Sequence, residues 1–292
     1  MIFKHVVRKS TLREGIAVPK DFEEWFQSPE AGSKREITLV YEKQEINVTL
    51  RRLNNRKKHV QIKYETKKQA QFREWLWEVF KASRDITIGE IIEFHKISRD
   101  RYLLKPVTVE EVNNSGLRIS RTLHHGGADK LVSYIPAFKE VSEIISSIKF
   151  VIGNSQAFYN QKIKEGFLSR AWESDKPVAK ELGLKCDFRK ENVQIEVEFG
   201  NARAYYQDYL KFSISFNEGL ISLGGLIVPT FDFANVLCEI GKQKALGKAR
   251  QLGIERTPTY SGMITFEKAD QEFQHLKFML NMPIVVMGID YK

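Results

Sequence analysis

A chain of 292 residues with 42% hydrophobic and 28% charged side chains has enough apolar material for two ordinary domains, which excludes a disordered or low-complexity protein. Its formal charge of +9 is uneven: residues 1–110 carry 23 Lys/Arg against 16 Asp/Glu, and the remainder 23 against 21. That asymmetry points to a polyanion-binding module, with nucleic acid the expected polyanion, joined to a more balanced partner.

No apolar run reaches the roughly 18 residues needed to span a bilayer. The opening MIFKHVVRKS lacks the apolar core and small-residue cleavage site of a secretory signal. The sequence therefore predicts a cytoplasmic protein with no membrane partner. Two cysteines, Cys186 and Cys238, are too few for a disulfide framework or a cysteine-rich zinc site.

In chain order, Ile2–Val7 reads as a strand, followed by the basic segment RKSTLRE. Gly15–Pro19 resumes an apolar stretch, and a short helix carrying Phe22, Trp25 and Phe26 is expected after it. Glu36–Tyr41 and Gln44–Leu50 read as two strands around a polar turn. Arg51–Lys68 then holds eight basic residues against the single acid Glu65. Alone, such a run fits either a solvated loop or an arm whose Lys and Arg neutralise phosphates while Arg and Asn read base edges. A second basic loop, Arg8–Arg13, favours DNA contact, because two arms can grip a duplex. Phe72, Trp75, Leu76, Val79 and Phe80 recur at helical spacing and predict a helix with one buried face. Ile86–Ser98 reads as two short strands broken at Gly89-Glu90, and Arg101–Val107 as one more.

The basic loop before GIAVP, the basic arm around Asn54-Asn55-Arg56, the helix and then IGEIIEFHK together resemble a known module. It is the amino-terminal effector domain of the EcoRII restriction endonuclease and the related plant transcription-factor DNA-binding domains. The resemblance implies a seven-stranded β pseudobarrel over about residues 1–110 that holds the major groove of double-stranded DNA between two arms. One arm would be Arg8, Lys9, Ser10, Thr11 and Arg13; the other Arg51, Arg52, Asn54, Asn55, Arg56 and Lys58.

Residues 111–131 include NNSG and HHGGAD, rich in turn formers, and are expected to be an interdomain linker. His124 and His125 are adjacent and have no partner motif nearby, so they are not expected to ligate a metal. Phe138, Val141, Ile144, Ile145 and Ile148 predict an amphipathic helix opening a second domain, 132–292. Lys162–Trp172 reads as a helix end or loop, with Glu173 after it either a surface glutamate or an accessory carboxylate.

In Cys186–Asn201, apolar Val193, Ile195, Val197 and Phe199 alternate with Gln194, Glu196 and Glu198. With Arg189–Asn192 as a turn, Asp187 would end the preceding strand beside the two glutamates. This places three carboxylates at one end of a hairpin whose other face is buried. Mg²⁺ takes hard oxygen ligands, commonly one or two carboxylates plus phosphate oxygens. The spacing alone fits a metal site or a solvated acidic face and does not choose between them. Ala202–Phe216 is expected to form a helix that buries Tyr205, Tyr209 and Phe212 and exposes Arg203, Gln207 and Lys211. An internal strand at Leu220–Val228, a helix at Phe233–Leu252 and a buried strand at Pro283–Ile289 complete the reading.

The segment CDFRKENVQIEVEFGNARAYYQDYLKF, with GFLSRAW before it and GLISLGGLIVPT, TYSGMITFEKA and MPIVVMGI after it, resembles the BglII/BstYI branch of restriction endonucleases. That branch is part of the PD-(D/E)xK nuclease fold. The resemblance implies an α+β protein of two domains, the second a mixed α/β nuclease domain, acting as a Mg²⁺-dependent type II endonuclease on double-stranded DNA. A homodimer is expected for cutting both strands of a palindrome. By position, Asp187 and Glu196 would hold the metal with the carbonyl of Val197, and Glu198 would take the place of the motif's final Lys. Glu there departs from the Lys of most of the fold and the Gln of the close branch, and is similar to the BamHI arrangement. A carboxylate cannot supply positive charge, so Glu198 would orient or deprotonate water or hold a second ion. A modification-dependent nuclease, a catalytically silent DNA-binding regulator and a structured-RNA binder are the rival readings.

Overall fold

The computed structural model describes residues 2–7, 11, 15–53, 59–64, 70–80, 90–107, 115–200, 205–251 and 263–291. It divides into two compact units, Met1–Val112 and Asn113–Lys292.

In the first unit β1 (Ile2–Val6), β2 (Gly15–Val18), β3 (Lys34–Tyr41), β4 (Gln44–Arg52) and β5 (Val60–Lys63) precede a helix, α1 (Ala70–Val79). After it come β6 (Ile91–Ser98) and β7 (Arg101–Val107). These form one nearly closed, barrel-like sheet in the order β1-β6-β7-β3-β4-β5-β2, antiparallel throughout except for the parallel pair β3 and β7. The interior is aromatic: Phe3 meets Phe94 at 5.1 Å between ring centroids, and Phe26 meets Tyr102 at 4.8 Å. Helix α1 lays Phe72, Trp75 and Leu76 onto the barrel beside Tyr41, as its periodicity predicts. Gly15 begins β2 at φ 149°, where a Cβ would meet the Ile62 carbonyl oxygen; only glycine lets β2 approach β5 this closely.

In the second unit the chain runs β8 (Leu117–His125), α2 (Ala128–Leu131), α3 (Pro136–Ser147), α4 (Gln156–Leu168), β9 (Glu173–Ala179), β10 (Leu184–Lys190) and β11 (Val193–Val197). It continues through α5 (Tyr206–Asn217), β12 (Leu223–Pro229), α6 (Phe231–Gln251), α7 (Phe266–Leu276) and β13 (Ile284–Tyr291). The sheet order is β8-β13-β12-β11-β10-β9, with β11, β12 and β13 mutually parallel. Every residue of β12 and β13 is buried, which is why both strands read as continuous apolar runs rather than alternating ones.

Two expectations are corrected here. Residues 111–131 are not simply a linker: Leu117–His125 is an edge strand paired along β13, and Ala128–Leu131 is helical. The polar face expected on the carboxylate strand is not wet, since Gln194 and Glu196 are fully buried. Strand β11 is internal, between β10 and β12, and α5 covers Gln194 and Glu196. Among the described residues no helix is long and apolar enough to cross a membrane.

Candidate active site

The hairpin β10–β11 turns in two residues, Glu191 and Asn192, with Glu191 at φ 52°. Its ladder pairs Lys190 with Val193, Arg189 with Gln194 and Phe188 with Ile195, then stops. Beyond that point β10 stays with β9 while β11 follows β12, pairing Glu196 with Leu226 and Val197 with Ile227. The two strands part where Asp187 and Glu196 face one another. Asp187 is thus inside β10, not at its end as the sequence suggested.

The parted strands leave backbone groups that side chains satisfy. Asp187 Oδ2 accepts the Val197 N–H at 2.8 Å, and the Asp187 N–H donates to Glu196 Oε2 at 3.3 Å. Glu196 Oε1 accepts from Gln194 Nε2 at 2.7 Å, and Gln194 Oε1 accepts from Ser215 Oγ at 2.7 Å. Lys211 on α5 donates to Glu196 Oε2 and to Asp208 Oδ1, both at 2.8 Å, and its side chain is only 13% exposed. Glu198 bends back so that Oε1 accepts the Gly200 N–H at 2.5 Å.

Burial raises the carboxyls of Asp187, Glu196 and Glu198 above the ordinary carboxylate range, with the Asp187 and Asp208 charges adding to the effect on Glu196. Asp208 is pushed up to about 6 by burial, against the opposing pull of Lys211. Burial alone would lower the Lys211 ammonium, but Glu196 and Asp208 outweigh it and hold the lysine charged. Glu196 and Asp208 share the Lys211 ammonium, with the Asp187 and Glu198 carboxyls nearby, a concentration of acid that a divalent cation would offset. All the donors are oxygens, which suits a hard ion. Among the described residues no three Asp, Glu, His or Cys side chains gather closely enough to hold a metal by themselves, so Asp187 and Glu196 would need backbone or water oxygens to complete a shell.

A cleft of about 180 Å³ opens beside Asp187 and Val197, lined also by Asn160, Lys164, Asp175 and Phe188. Asn160 Oδ1 is buried there with no partner among the described residues. Lys164 contacts Asp175 Oδ2 at 3.2 Å. Asp175, at φ 57°, falls between the pairs Cys186–Lys176 and Phe188–Ser174, next to Asp187.

Other sequence-predicted residues lie elsewhere. Glu173 is exposed and paired with Lys176 at 2.8 Å, while Asp175, two residues on, lines the cleft. His125 Nε2 is 2.8 Å from the Leu280 carbonyl oxygen, a structural contact. In the first unit Thr11 is buried with its hydroxyl 2.7 Å from His5 Nε2, so it faces inward instead of forming part of an arm. Arg52 donates to Glu23 at 2.6 Å and to the Pro29 carbonyl at 2.8 Å, which makes it a brace of its own domain. Arg51, at the end of β4, is exposed. Arg8, Lys9, Ser10, Arg13, Asn54, Asn55, Arg56 and Lys58 lie outside the described residues. Lys211, expected on the exposed face of its helix, is instead mostly buried between Glu196 and Asp208. The residues missed by sequence reasoning are Asp208 and Asp175; the visible signal for Asp208 is its i,i+3 acid–base spacing with Lys211, flanking the buried Tyr209.

The family model described as "Restriction endonuclease BglII/BglIII" matches residues 120–289. Among solved structures, restriction endonuclease BglII complexed with a DNA 16-mer is 16% identical, with a TM-score of 0.42 over 57% of this chain and 74% of its own. The N-terminal domain of Helicobacter pylori LlaJI.R1 is 15% identical, with a TM-score of 0.27 over 37% of this chain and 88% of its own. No curated protein matches the chain.

Proposed function

The chain belongs to the BglII/BglIII restriction endonuclease family, and from that membership we propose that it is a type II, site-specific deoxyribonuclease that hydrolyses duplex DNA with Mg²⁺ and leaves 5′-phosphates. The observation that carries the catalytic part is the parted hairpin, in which Asp187 spans to the Val197 N–H directly beside Glu196.

In this reading Asp187, Glu196 and the carbonyl of Val197 hold the cation. When bound, Mg²⁺ supplies positive charge to the non-bridging phosphate oxygens and to the leaving oxygen. Asp187 is oriented for this by its bond to Val197 N, which fixes one carboxylate oxygen. Gln194 fixes the Glu196 carboxylate through Oε1. Glu198, raised by burial and held at one oxygen by Gly200, is a stronger base than an exposed carboxylate and takes the proton of the attacking water. The water oxygen bonds to phosphorus as the P–O3′ bond breaks and O3′ takes a proton from solvent water, leaving a 5′-phosphate and a 3′-hydroxyl. The barrel-like unit binds DNA through Arg51 and the neighbouring basic segments, and two copies of the chain act as a homodimer in the cytoplasm, one per strand.

The test is incubation of the purified protein with unmethylated phage DNA, with and without Mg²⁺, followed by sequencing of the fragment ends. Discrete Mg²⁺-dependent fragments sharing an end sequence are expected. Cleavage of methylated DNA only would replace this reading with a modification-dependent enzyme; cleavage of neither would replace it with a silent DNA-binding fold.

A further inference from the structure

Lys211 occupies an unusual place. It is the ammonium shared between Glu196 and Asp208, and it reaches them from a helix, not from the strand on which the motif is written. One of its two anchors, Glu196, is a proposed ligand of the cation; the other, Asp208, is not. Both contacts are 2.8 Å, and both carboxylates lie in the interior, Glu196 with no exposed surface at all.

A buried carboxylate left without a counter-charge is costly. In the absence of a divalent ion, Lys211 is what neutralises Glu196. Its grip is on Oε2, the same oxygen that takes the Asp187 N–H, so the ammonium and a cation at Asp187 and Glu196 compete for one edge of the carboxylate. A cation and an ammonium repel, and Asp208 on the same helix face already holds Lys211 from the other side.

Resting on the metal reading above, we propose that Lys211 is a positioning residue that exchanges with the divalent cation: it neutralises Glu196 in the metal-free protein, and on metal entry it gives up Oε2 and remains on Asp208. The ammonium keeps the site closed and folded until a cation arrives. It then stays on Asp208, still positive, without leaving the helix. The sequence distance of Lys211 from the strand motif allows this, because α5 can hold the lysine on Asp208 while β11 keeps Glu196 in register with β12.

Two measurements on the full chain without DNA test this. The first is thermal unfolding with and without Mg²⁺ for the wild type and Lys211→Met. The variant should melt lower than wild type without Mg²⁺ and gain more from Mg²⁺, with an apparent affinity roughly tenfold tighter because no ammonium competes. Equal Mg²⁺ gains in the two proteins would overturn the exchange while leaving the metal site standing. No Mg²⁺ gain in the wild type would overturn the metal reading itself, and the exchange with it. The second measurement needs no destabilised variant: the side-chain ¹⁵N resonance of Lys211, assigned by its loss in Lys211→Arg, should move as Mg²⁺ is added. A lysine that only props the fold would give an unmoved resonance, and that result overturns the proposal.

Discussion

Asp187 on β10 accepts the backbone N–H of Val197 on β11 at 2.8 Å, although the strand ladder between them has already ended. The carboxylate does the work of a missing rung. It holds the two strands at the distance at which they separate, and it keeps Glu196 beside the gap.

Under the proposed function Asp187 has two duties that substitution separates. Asp187→Asn keeps an oxygen for Val197 N and should fold like wild type, yet lose about 10³-fold or more in cleavage rate because a neutral amide holds a cation poorly. Asp187→Ala should lose activity equally and in addition about 1 kcal/mol of stability, from the orphaned N–H. Paired cleavage assays and urea melts check this, and full activity in Asp187→Ala would remove Asp187 from the site.

Glu140 gives a prediction in pH. Lys190 Nζ donates to its two oxygens at 2.7 and 2.8 Å, and Trp172 Nε1 donates at 2.9 Å. Burial opposes ionisation, but these partners prevail and hold Glu140 below the ordinary range. A depressed folded-state pKa stabilises above the unfolded value of about 4.3, and that contribution fades as pH falls through the folded value. Glu140→Gln should thus be less stable than wild type at pH 7, with the gap narrowing below about pH 4. Denaturant melts from pH 3 to 7 measure it; a gap constant with pH would contradict the assignment.

Gly224 on β12 lies under the Phe212 ring of α5, where an added Cβ would come within 2.8 Å of the ring. Gly224→Ala should cost about 1–3 kcal/mol through overpacking. Adding Phe212→Leu should recover part of the loss, and a double-mutant cycle on melting data checks the coupling. Strict additivity would mean the ring moves aside.

In the first unit, Arg51 and Arg52 are neighbours with different expected roles. Arg51→Ala should weaken DNA binding and lower the salt slope of log K by about 1, the share of one phosphate contact. Arg52→Ala should chiefly lower the melting temperature, because it releases Glu23 and the Pro29 carbonyl. Binding titrations across salt, alongside melts, separate the two.

The strand pattern of Val193–Val197 and the apolar runs of β12 and β13 were plain in the sequence, because backbone period and burial both leave local marks. The burial of Gln194 and Glu196 was not, because it depends on Ser215 and Lys211, which arrive one helix later. Alternation predicted a wet face; tertiary partners made that face dry. Strand β8 was hidden for a different reason. As a partly exposed edge strand it mixes polar with apolar residues, and turn formers stand at both of its ends. Asp175 lay beyond reach because it adjoins Asp187 only through the β9–β10 pairing.

The order of the second sheet has a consequence for synthesis. Strand β13 joins β8 to β12, so a ribosome that has reached only residue 280 has already made the carboxylate hairpin but not the strand that unites the sheet. A nascent chain therefore carries Asp187 and Glu196 in an unfinished scaffold, and the sheet that frames them is complete only after β13 has been inserted.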